Sequence, residues 1–247
     1  MRLNILILAG GLGKRMKSEI PKVLHKINDK SMLSNIIIKV SNLDINKIYV
    51  VLGKYRQIIQ DTLRQEIPEL YDNINFVIQE NALGTGHTII CAKDQIQNEE
   101  NTSLLVLNGD APLIRTQTLQ EMINKYIHLN SNAIVATITL DNPTGYGRIY
   151  TNERNYAINV VEEKDCTEEQ KLIKNVNAGI YLFDQTRLFN LSDRLNNNNA
   201  QNEYYITDFV SIFSQNNINV SYYKVLDTNE LLNINTRETL ERAKQLI

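Results

Sequence analysis

The sequence predicts an α/β fold in which helices cover both faces of a mostly parallel, mixed sheet. In the first half of the chain, short apolar runs of the kind that form buried strands occupy residues 3–8, 48–52, 74–78 and 104–107. Segments with helical spacing alternate with these runs and occupy residues 31–43, 55–66, 84–92 and 116–129. Because a right-handed strand–helix–strand crossover joins parallel strands, this alternation predicts a parallel sheet covered on both faces.

The pattern changes after residue 132, where strands follow one another with turns between them. The predicted strands are residues 133–140, 147–150, 157–161, 180–183 and 220–225, and the predicted helices are residues 206–214 and 236–246. Neither a change in composition nor a Gly/Ser-rich linker separates the two halves. We therefore predict a single domain over residues 1–247, with its halves at residues 1–131 and 132–247 and a mixed extension of the sheet in the second half.

The composition argues against several classes of protein. The formal net charge of -2 shows no basic excess, so broad contacts with nucleic acid or with anionic membranes are not expected. The two cysteines, Cys91 and Cys166, lie far apart and predict neither a disulfide framework nor a zinc site. The first apolar run is too short for the core of a signal peptide, and no later run approaches the roughly 20 residues of a membrane span. We therefore expect a cytoplasmic protein.

A glycine-rich loop at residues 8–16 follows the first predicted strand. Its glycines would let backbone N–H groups approach phosphate oxygens, and Lys14 and Arg15 add positive charge, although the loop alone could equally be a tight turn. A P-loop is excluded because Arg15 follows Lys14, and Met16 stands where a dinucleotide fingerprint needs glycine or alanine. The loop resembles instead the L-A-x-G-x-G-[TK]-R-M signature of the nucleotidyltransferase superfamily. Residues 21–24, Pro-Lys-Val-Leu, follow it at the superfamily's usual distance and offer Lys22 as a further cation.

Two more segments of the first half carry polar groups suited to a nucleotide. Gln79 precedes residues 83–87, Leu-Gly-Thr-Gly-His, and its carboxamide could both donate to and accept from a uracil edge. The pair Gly84-Thr85 would let main chain approach the ring. Asp110 follows the strand at 104–107, at the carboxyl end of a parallel strand, where α/β folds bind ligands. In isolation, these residues are more often a helix-capping loop and a helix N-cap.

The second half narrows the resemblance. Its motifs lie at residues 142–149, 161–165, 177–180, 198–208 and 234–237. Together with the earlier segments, and in this order, they resemble the uridyltransferase domain of the bacterial bifunctional N-acetylglucosamine-1-phosphate uridyltransferase/glucosamine-1-phosphate acetyltransferases. The resemblance covers essentially the whole chain, and residues 203–208, Glu-Tyr-Tyr-Ile-Thr-Asp, are its most specific part.

The resemblance implies a Rossmann-like nucleotidyltransferase fold and a Mg²⁺-dependent enzyme acting on UTP and N-acetyl-α-D-glucosamine 1-phosphate. It implies catalytic roles for Arg15 and Lys22, and Mg²⁺ ligation by Asp110 and Asn235. The implied nucleotide-binding residues are Leu8, Ala9, Gly10, Gly11, Gln79, Gly84, Thr85, Asn108 and Gly109. The implied sugar-binding residues are Gly147, Glu162, Asn177 and Thr207. Residues 1–131 would then bind mainly the nucleotide and residues 132–247 mainly the sugar.

Departures from the family leave alternatives open. Asn108 stands where the close family usually has Tyr, Gly10 where it commonly has Ala, and Lys14 replaces the commoner Thr. Another hexose-1-phosphate uridylyl- or thymidylyltransferase is therefore an alternative. A non-catalytic sugar-nucleotide-binding module is a second alternative, against which the retained catalytic and metal residues argue. The chain contains no hexapeptide repeat of a left-handed β-helix, so we expect no acetyl transfer by these 247 residues, and an oligomer is compatible with the sequence.

Overall fold

The computed structural model describes residues 1–11, 13, 16, 18–96 and 100–246. Within these residues, a nine-stranded sheet forms the centre of the molecule, and a two-stranded hairpin stands beside it. The sheet strands are β1 (Arg2–Leu8), β4 (Lys47–Leu52), β5 (Ile74–Ile78), β6 (Thr102–Asn108), β7 (Ala133–Thr139), β8 (Arg148–Thr151), β9 (Ala157–Val161), β10 (Asn175–Asp184) and β11 (Val220–Lys224). The hairpin strands are β2 (Lys26–Ile27) and β3 (Lys30–Ser31).

Helices connect most of the sheet strands. The α-helices are α1 (Met32–Ser41), α2 (Arg56–Glu66), α3 (Pro68–Tyr71), α4 (Thr85–Gln95), α5 (Thr116–His128), α6 (Glu168–Lys171), α7 (Gln185–Leu191), α8 (Asp208–Gln215) and α9 (Arg237–Lys244). Short 3₁₀ helices comprise Lys22–Leu24, Glu163–Asp165, Ser192–Arg194 and Thr228–Leu231. Among the described residues, no helix is both long enough and apolar enough to cross a membrane.

The sheet is mixed, as the sequence predicts. Its strand order is β5-β4-β1-β6-β10-β7-β11-β9-β8, with an additional pairing between β10 and β8. The neighbouring strands from β5 to β6 are all parallel. Strand β10 pairs antiparallel with both β6 and β7, whereas β11 pairs parallel with β7. Parallel pairing therefore dominates the first half of the sheet, and antiparallel pairing dominates the second half.

Helices cover both faces of the sheet, which confirms that prediction. Along β1, Ile5 and Ile7 belong to one buried apolar cluster, whereas Leu6 belongs to another. The first cluster is completed by side chains of α1, α2 and α5, and the second by side chains of α4, α7 and α8. A strand buried on both faces reads as a continuous apolar run, which is why the sequence pattern of the first half is so clear.

Strand β10 differs from its prediction, because it begins five residues before the apolar run that starts at Ile180. The polar residues Asn175 and Asn177 hide the first part of the strand from a search for apolar alternation. Its register with β7 shifts between Asn177 and Tyr181, where Gly179 has a φ of 74°. A bulge of this kind bends a strand and redirects its side chains. The hairpin β2–β3 and the helices α3, α6 and α7 are also absent from the prediction, because they are too short for a periodic pattern.

A third apolar cluster attaches the last helix to the hairpin. Leu240 and Ala243 of α9 pack with Ile27 and Met32. A capping box at Thr236 starts this helix, because the Thr236 side chain accepts a hydrogen bond from the N–H of Thr239. Asn235 immediately precedes this cap. The packing of α9 therefore brings Asn235 to the edge of the sheet at which β6 ends.

Candidate active site

A pocket of about 590 Å³ lies at the edge of the sheet where β1, β5 and β6 end. Leu8 and Asn108 are register partners at the carboxyl ends of β1 and β6. The predicted residues that line the pocket are Leu8, Gly10, Gly11, Lys22, Gln79, Gly84, Thr85, Asn108, Asp110 and Asn235. The fold therefore brings nucleotide residues and metal ligands predicted from distant segments into one pocket.

Two predicted residues support the pocket wall through their backbone. The Ala9 N–H donates to the Val51 carbonyl at 3.0 Å, and the Gly109 N–H donates to the Leu8 carbonyl at 2.9 Å. A Cβ at position 109 would lie 2.9 Å from that same carbonyl oxygen, so the close approach of the two strand ends requires glycine there. Arg15 lies outside the described residues.

Lys22 joins the two predicted metal ligands. Its ammonium donates to Asp110 Oδ2 and, at 3.0 Å, to Asn235 Oδ1. The Ile234 N–H also donates to the Asp110 carbonyl at 2.9 Å, which holds the two ligand segments together. Gly13, with a φ of 61°, passes so close to Lys22 that a Cβ on the glycine would lie 2.6 Å from the lysine Cβ.

The oxygens of Asp110 and Asn235 fit a small, hard cation. In this structure the Lys22 ammonium contacts both of them, so the position already accommodates a positive charge. Carboxylate and amide oxygens are ligands that Mg²⁺ prefers, and Mg²⁺ commonly completes its coordination with water and substrate phosphates. The donor set is therefore suited to Mg²⁺ at the phosphate end of a nucleotide.

At the other end of the pocket, the loop that carries Gly84 is tied to the second half of the chain. Gly84 has a φ of 113°, and a Cβ on it would overlap the Tyr204 carbonyl oxygen. The Gly86 N–H donates to that carbonyl at 2.7 Å, and the Ile206 N–H donates to the Thr85 hydroxyl at 3.1 Å. The most specific motif of the sequence, residues 203–208, therefore holds the loop beside Gln79.

The predicted sugar-binding residues also come together. The Thr207 hydroxyl donates to Glu162 Oε1 at 2.9 Å. Gly147 lies against the same carboxylate, since a Cβ on it would be 3.4 Å from Glu162 Oε2. The Asn177 N–H donates to the Gly147 carbonyl at 2.8 Å. Gly147 before β8, Glu162 after β9, Asn177 in β10 and Thr207 at the start of α8 thus form one cluster.

The bulge in β10 connects this cluster to the pocket where β1 and β6 end. The Asn177 side chain donates to the Tyr181 hydroxyl at 2.6 Å and accepts from the Gly179 N–H at 3.0 Å. A Cβ on Gly179 would lie 2.6 Å from Asn108 Nδ2. Asn108, which lines the pocket, therefore packs on the bulge that orients Asn177, and no side chain at position 179 separates the two.

Two carboxyl groups in and beside the cluster around Glu162 have raised pKa values. Burial raises the pKa of Glu162, the hydrogen bond from Thr207 opposes this shift, and the nearby Asp165 adds to it. Burial likewise raises the pKa of Asp208 to about 6, with further contributions from Glu162 and Asp165. The cluster therefore concentrates negative charge in a poorly solvated place, and it is suited to hydroxyl groups that donate hydrogen bonds.

Arg148 is a structural residue of the site that the sequence analysis did not identify. Its side chain is 1% exposed and forms an ion pair with Glu163 at 2.6 Å. It also donates to the carbonyls of Tyr146 and Lys171. Gly147 immediately precedes Arg148, and Glu162 immediately precedes Glu163. The ion pair therefore holds the backbone at both of these positions in place. Arg148 and Glu163 both lie within predicted motifs, but the local sequence spacing does not predict that their side chains pair.

Asn233 is a second residue that the sequence analysis missed. It lines the nucleotide pocket close to Asn235. Its buried Oδ1 has no hydrogen-bond partner among the described residues. A buried acceptor of this kind is costly unless a ligand or water satisfies it, so its position in the pocket points to a ligand contact.

Comparison with known proteins identifies the family of this chain. A family model described as nucleotidyl transferase matches residues 4–228. A probable UDP-N-acetylglucosamine pyrophosphorylase of Acanthamoeba polyphaga mimivirus is 41% identical over 243 residues, which cover 97% of this chain and 94% of that protein. The bifunctional protein GlmU of Streptococcus sanguinis is 38% identical over 242 residues, covering 98% of this chain and 51% of the relative. This chain thus spans about half the length of that bifunctional relative.

A solved structure shares the fold. The crystal structure of UDP-glucose pyrophosphorylase complexed with UDP-glucose superimposes with a TM-score of 0.79 and covers 100% of this chain and 98% of the other. Its sequence identity of 19% limits the comparison to architecture. The predicted Rossmann-like nucleotidyltransferase fold is confirmed, and the chain belongs to the nucleotidyl transferase family.

The raised pKa of Asp208 predicts that the stability of the protein depends on pH. The folded protein holds the Asp208 proton more tightly than the unfolded chain does, because the pKa rises from 3.8 to about 6 on folding. Asp208 therefore contributes stability at and below about pH 4 that is lost as the pH rises through about 6. Asp208→Asn should remove this loss. We expect the unfolding free energy of the variant, relative to wild type, to increase by on the order of 1–2 kcal/mol between about pH 4 and pH 7.5, after allowance for partial solvent screening.

Denaturant unfolding at both pH values measures this difference. Asp193→Asn is the matched control, because the Asp193 side chain is 79% exposed and pairs with Lys93 at the surface. A constant difference between Asp208→Asn and wild type across this range would contradict the role assigned to burial.

Proposed function

We propose that this chain transfers uridylyl from UTP to N-acetyl-α-D-glucosamine 1-phosphate and produces UDP-N-acetylglucosamine and pyrophosphate. The observation that carries the proposal is the arrangement of two ligand sites on one sheet edge. A nucleotide pocket with Lys22 and Asp110 lies beside β6, and a polar cluster with Asn177 and Glu162 lies beside β10. The viral relative named as a probable UDP-N-acetylglucosamine pyrophosphorylase, matched over nearly its whole length, supports the same assignment.

In the proposed reaction, a phosphate oxygen of the sugar phosphate attacks the α-phosphorus of UTP. A new P–O bond forms as the bond to the bridging oxygen of the β-phosphate breaks, and pyrophosphate leaves with that electron pair. Such transfers depend mainly on positioning and charge neutralisation. The sugar phosphate is already ionised near neutral pH, so the chain need not supply a general base. We propose that Lys22 offsets the negative charge of the α-phosphate and that Arg15 offsets the negative charge of the departing pyrophosphate.

Asp110 and Asn235 would hold Mg²⁺ in this reaction. When bound, the metal supplies positive charge that offsets the charge of the nucleotide phosphates. The Lys22 ammonium contacts the same two oxygens. It therefore lies where phosphate oxygens would approach the metal ligands. On binding substrate, Lys22 would exchange these contacts for contacts with phosphate.

The sugar cluster is suited to the acetamido sugar. Glu162 is a half-buried acceptor for sugar hydroxyls, and Thr207 fixes one of its oxygens. The absence of a side chain at Gly147 leaves room in front of this carboxylate. Asn177 is held in one rotamer by Gly179 and Tyr181, so we assign its amide to the acetamido group. A cytoplasmic location and any oligomeric state remain predictions from the sequence.

The sugar assignment predicts selectivity for the acetamido group. The kcat/KM for N-acetylglucosamine 1-phosphate with UTP should exceed that for glucosamine 1-phosphate and glucose 1-phosphate by roughly tenfold or more, because buried polar groups lose their partners when the acetamido group is absent. Pyrophosphate release with this panel of sugar phosphates is the measurement. A preference for glucose 1-phosphate would instead favour the hexose-1-phosphate alternative, and absence of turnover with every sugar would favour a binding module.

The metal assignment predicts an unusual response to Lys22→Met. Because the Lys22 ammonium competes for the same oxygens, its removal should strengthen Mg²⁺ binding to the free protein by about fivefold, or about 1 kcal/mol, while turnover falls. Calorimetric titration with Mg²⁺ in the absence of nucleotide measures this effect. Lys93→Met, which removes a surface ion pair with Asp193, is the matched control. Unchanged or weaker Mg²⁺ binding by Lys22→Met would remove the basis for the metal site at Asp110 and Asn235.

A further inference from the structure

The carboxamide of Gln79 is held in a single orientation. Its Nε2 lies 3.2 Å from the Gly84 carbonyl oxygen. A backbone carbonyl can only accept a hydrogen bond, so the atom facing Gly84 must be the NH₂ group of the amide and not its oxygen. The side chain is 4% exposed, which leaves it little freedom to rotate.

His87 takes the second hydrogen of the same NH₂ group. Its Nδ1 lies 3.0 Å from Gln79 Nε2. The imidazole also hydrogen-bonds the Asn81 backbone, and burial lowers the pKa of His87, which favours the neutral ring. A neutral imidazole has one N–H nitrogen and one acceptor nitrogen. Because the Gln79 NH₂ group can only donate, the Nδ1 that faces it is the acceptor nitrogen of the ring.

Neighbouring side chains hold the imidazole in this position. The ring centroids of His87 and Tyr204 are 6.1 Å apart. On the other side, Cys91 Sγ lies 3.7 Å from His87 Nδ1. Tyr204 belongs to the segment that is hydrogen-bonded to the Gly84 loop, since its N–H donates to the Leu83 carbonyl at 2.9 Å. The acceptor that His87 presents to Gln79 is thus fixed by contacts from two parts of the chain.

Only the oxygen of the Gln79 amide remains available to a ligand. A Cβ on Gly10 would lie 2.9 Å from Gln79 Oε1, and both residues line the nucleotide pocket. Oε1 accepts no hydrogen bond from any residue in the described part of the chain. The amide therefore offers the pocket an acceptor and no free donor, whereas an unrestrained carboxamide could offer either.

We propose that His87 is a positioning residue for base selection, because it makes Gln79 an acceptor that matches a pyrimidine with an N–H at ring position 3. Uracil has an N–H at that position, whereas the corresponding nitrogen of cytosine is itself an acceptor and would face the Gln79 oxygen without a hydrogen. This inference rests on the proposed function, in which Gln79 contacts the base. Thymine also has the N–H, so His87 selects against cytosine and not between uracil and thymine.

The test compares kcat/KM for UTP and CTP in wild type and in variants of His87. Wild type should prefer UTP by roughly tenfold or more, the cost of one mismatched buried hydrogen bond. His87→Phe and His87→Leu remove the acceptor and should reduce the UTP:CTP ratio by roughly fivefold or more, because the amide is then free to turn. His87→Asn restores an acceptor at the place of Nδ1 and should keep the ratio closer to that of wild type.

Controls separate this role from a loss of folding. His128→Leu, at an exposed position in the last turn of α5, should leave the ratio unchanged. Thermal unfolding of each variant identifies those that fold, and either Phe or Leu suffices for the comparison. A merely structural His87 would lower kcat/KM for both nucleotides equally and leave their ratio intact, and that result would overturn the inference.

The same experiment distinguishes failure of this inference from failure of the proposed function. If wild type releases no pyrophosphate from UTP with any sugar phosphate, the proposed function is wrong. If wild type turns over UTP and CTP equally well, uridylyl transfer stands but Gln79 does not select the base, and the inference about His87 is wrong. If wild type prefers UTP and His87→Phe retains that preference, the inference alone fails.

Discussion

Strand β6 is hydrogen-bonded to β1 on one side and to β10 on the other, and the arrangement of the site depends on this double pairing. The parallel partner brings the glycine-rich loop after Leu8 next to Asn108. The antiparallel partner brings the bulge at Gly179 against the same asparagine. A pocket formed mainly by the first half of the chain and a polar cluster from the second half therefore meet at one strand end. A change of register between β6 and β10 would separate them.

Side-chain networks then fix each part of the site in one state. Arg148 and Glu163 anchor the backbone beside Gly147 and Glu162, and they do so from a buried position that cannot be left unpaired at low cost. The segment at residues 203–208 holds the Gly84 loop by backbone hydrogen bonds and supplies the ring that packs on His87. Side chains to which we assign no ligand contact thus determine which donors and acceptors face the ligand.

The sequence predicted the parallel half of the fold well, because its strands are buried on both faces and appear as continuous apolar runs. It predicted β10 poorly, since Asn175 and Asn177 interrupt the apolar pattern at the part of the strand that orients the site. Motif resemblance brought residues such as Lys22, Asp110 and Asn235 to attention, and the structure places them in contact. No local pattern could reveal the partners of Gln79, because its orientation depends on backbone and ring atoms that the fold brings together.

The proposed reaction requires the nucleotide and the sugar to bind at neighbouring sites on either side of the β6–β10 pair. Hydrogen exchange of the protein with UDP and with UDP-N-acetylglucosamine tests it most directly, because slowed exchange maps the backbone that each ligand orders. Both ligands should protect residues 79–87, and only UDP-N-acetylglucosamine should add protection at residues 145–149 and 175–179. Identical protection patterns for the two ligands, or added protection far from β10, would contradict this arrangement.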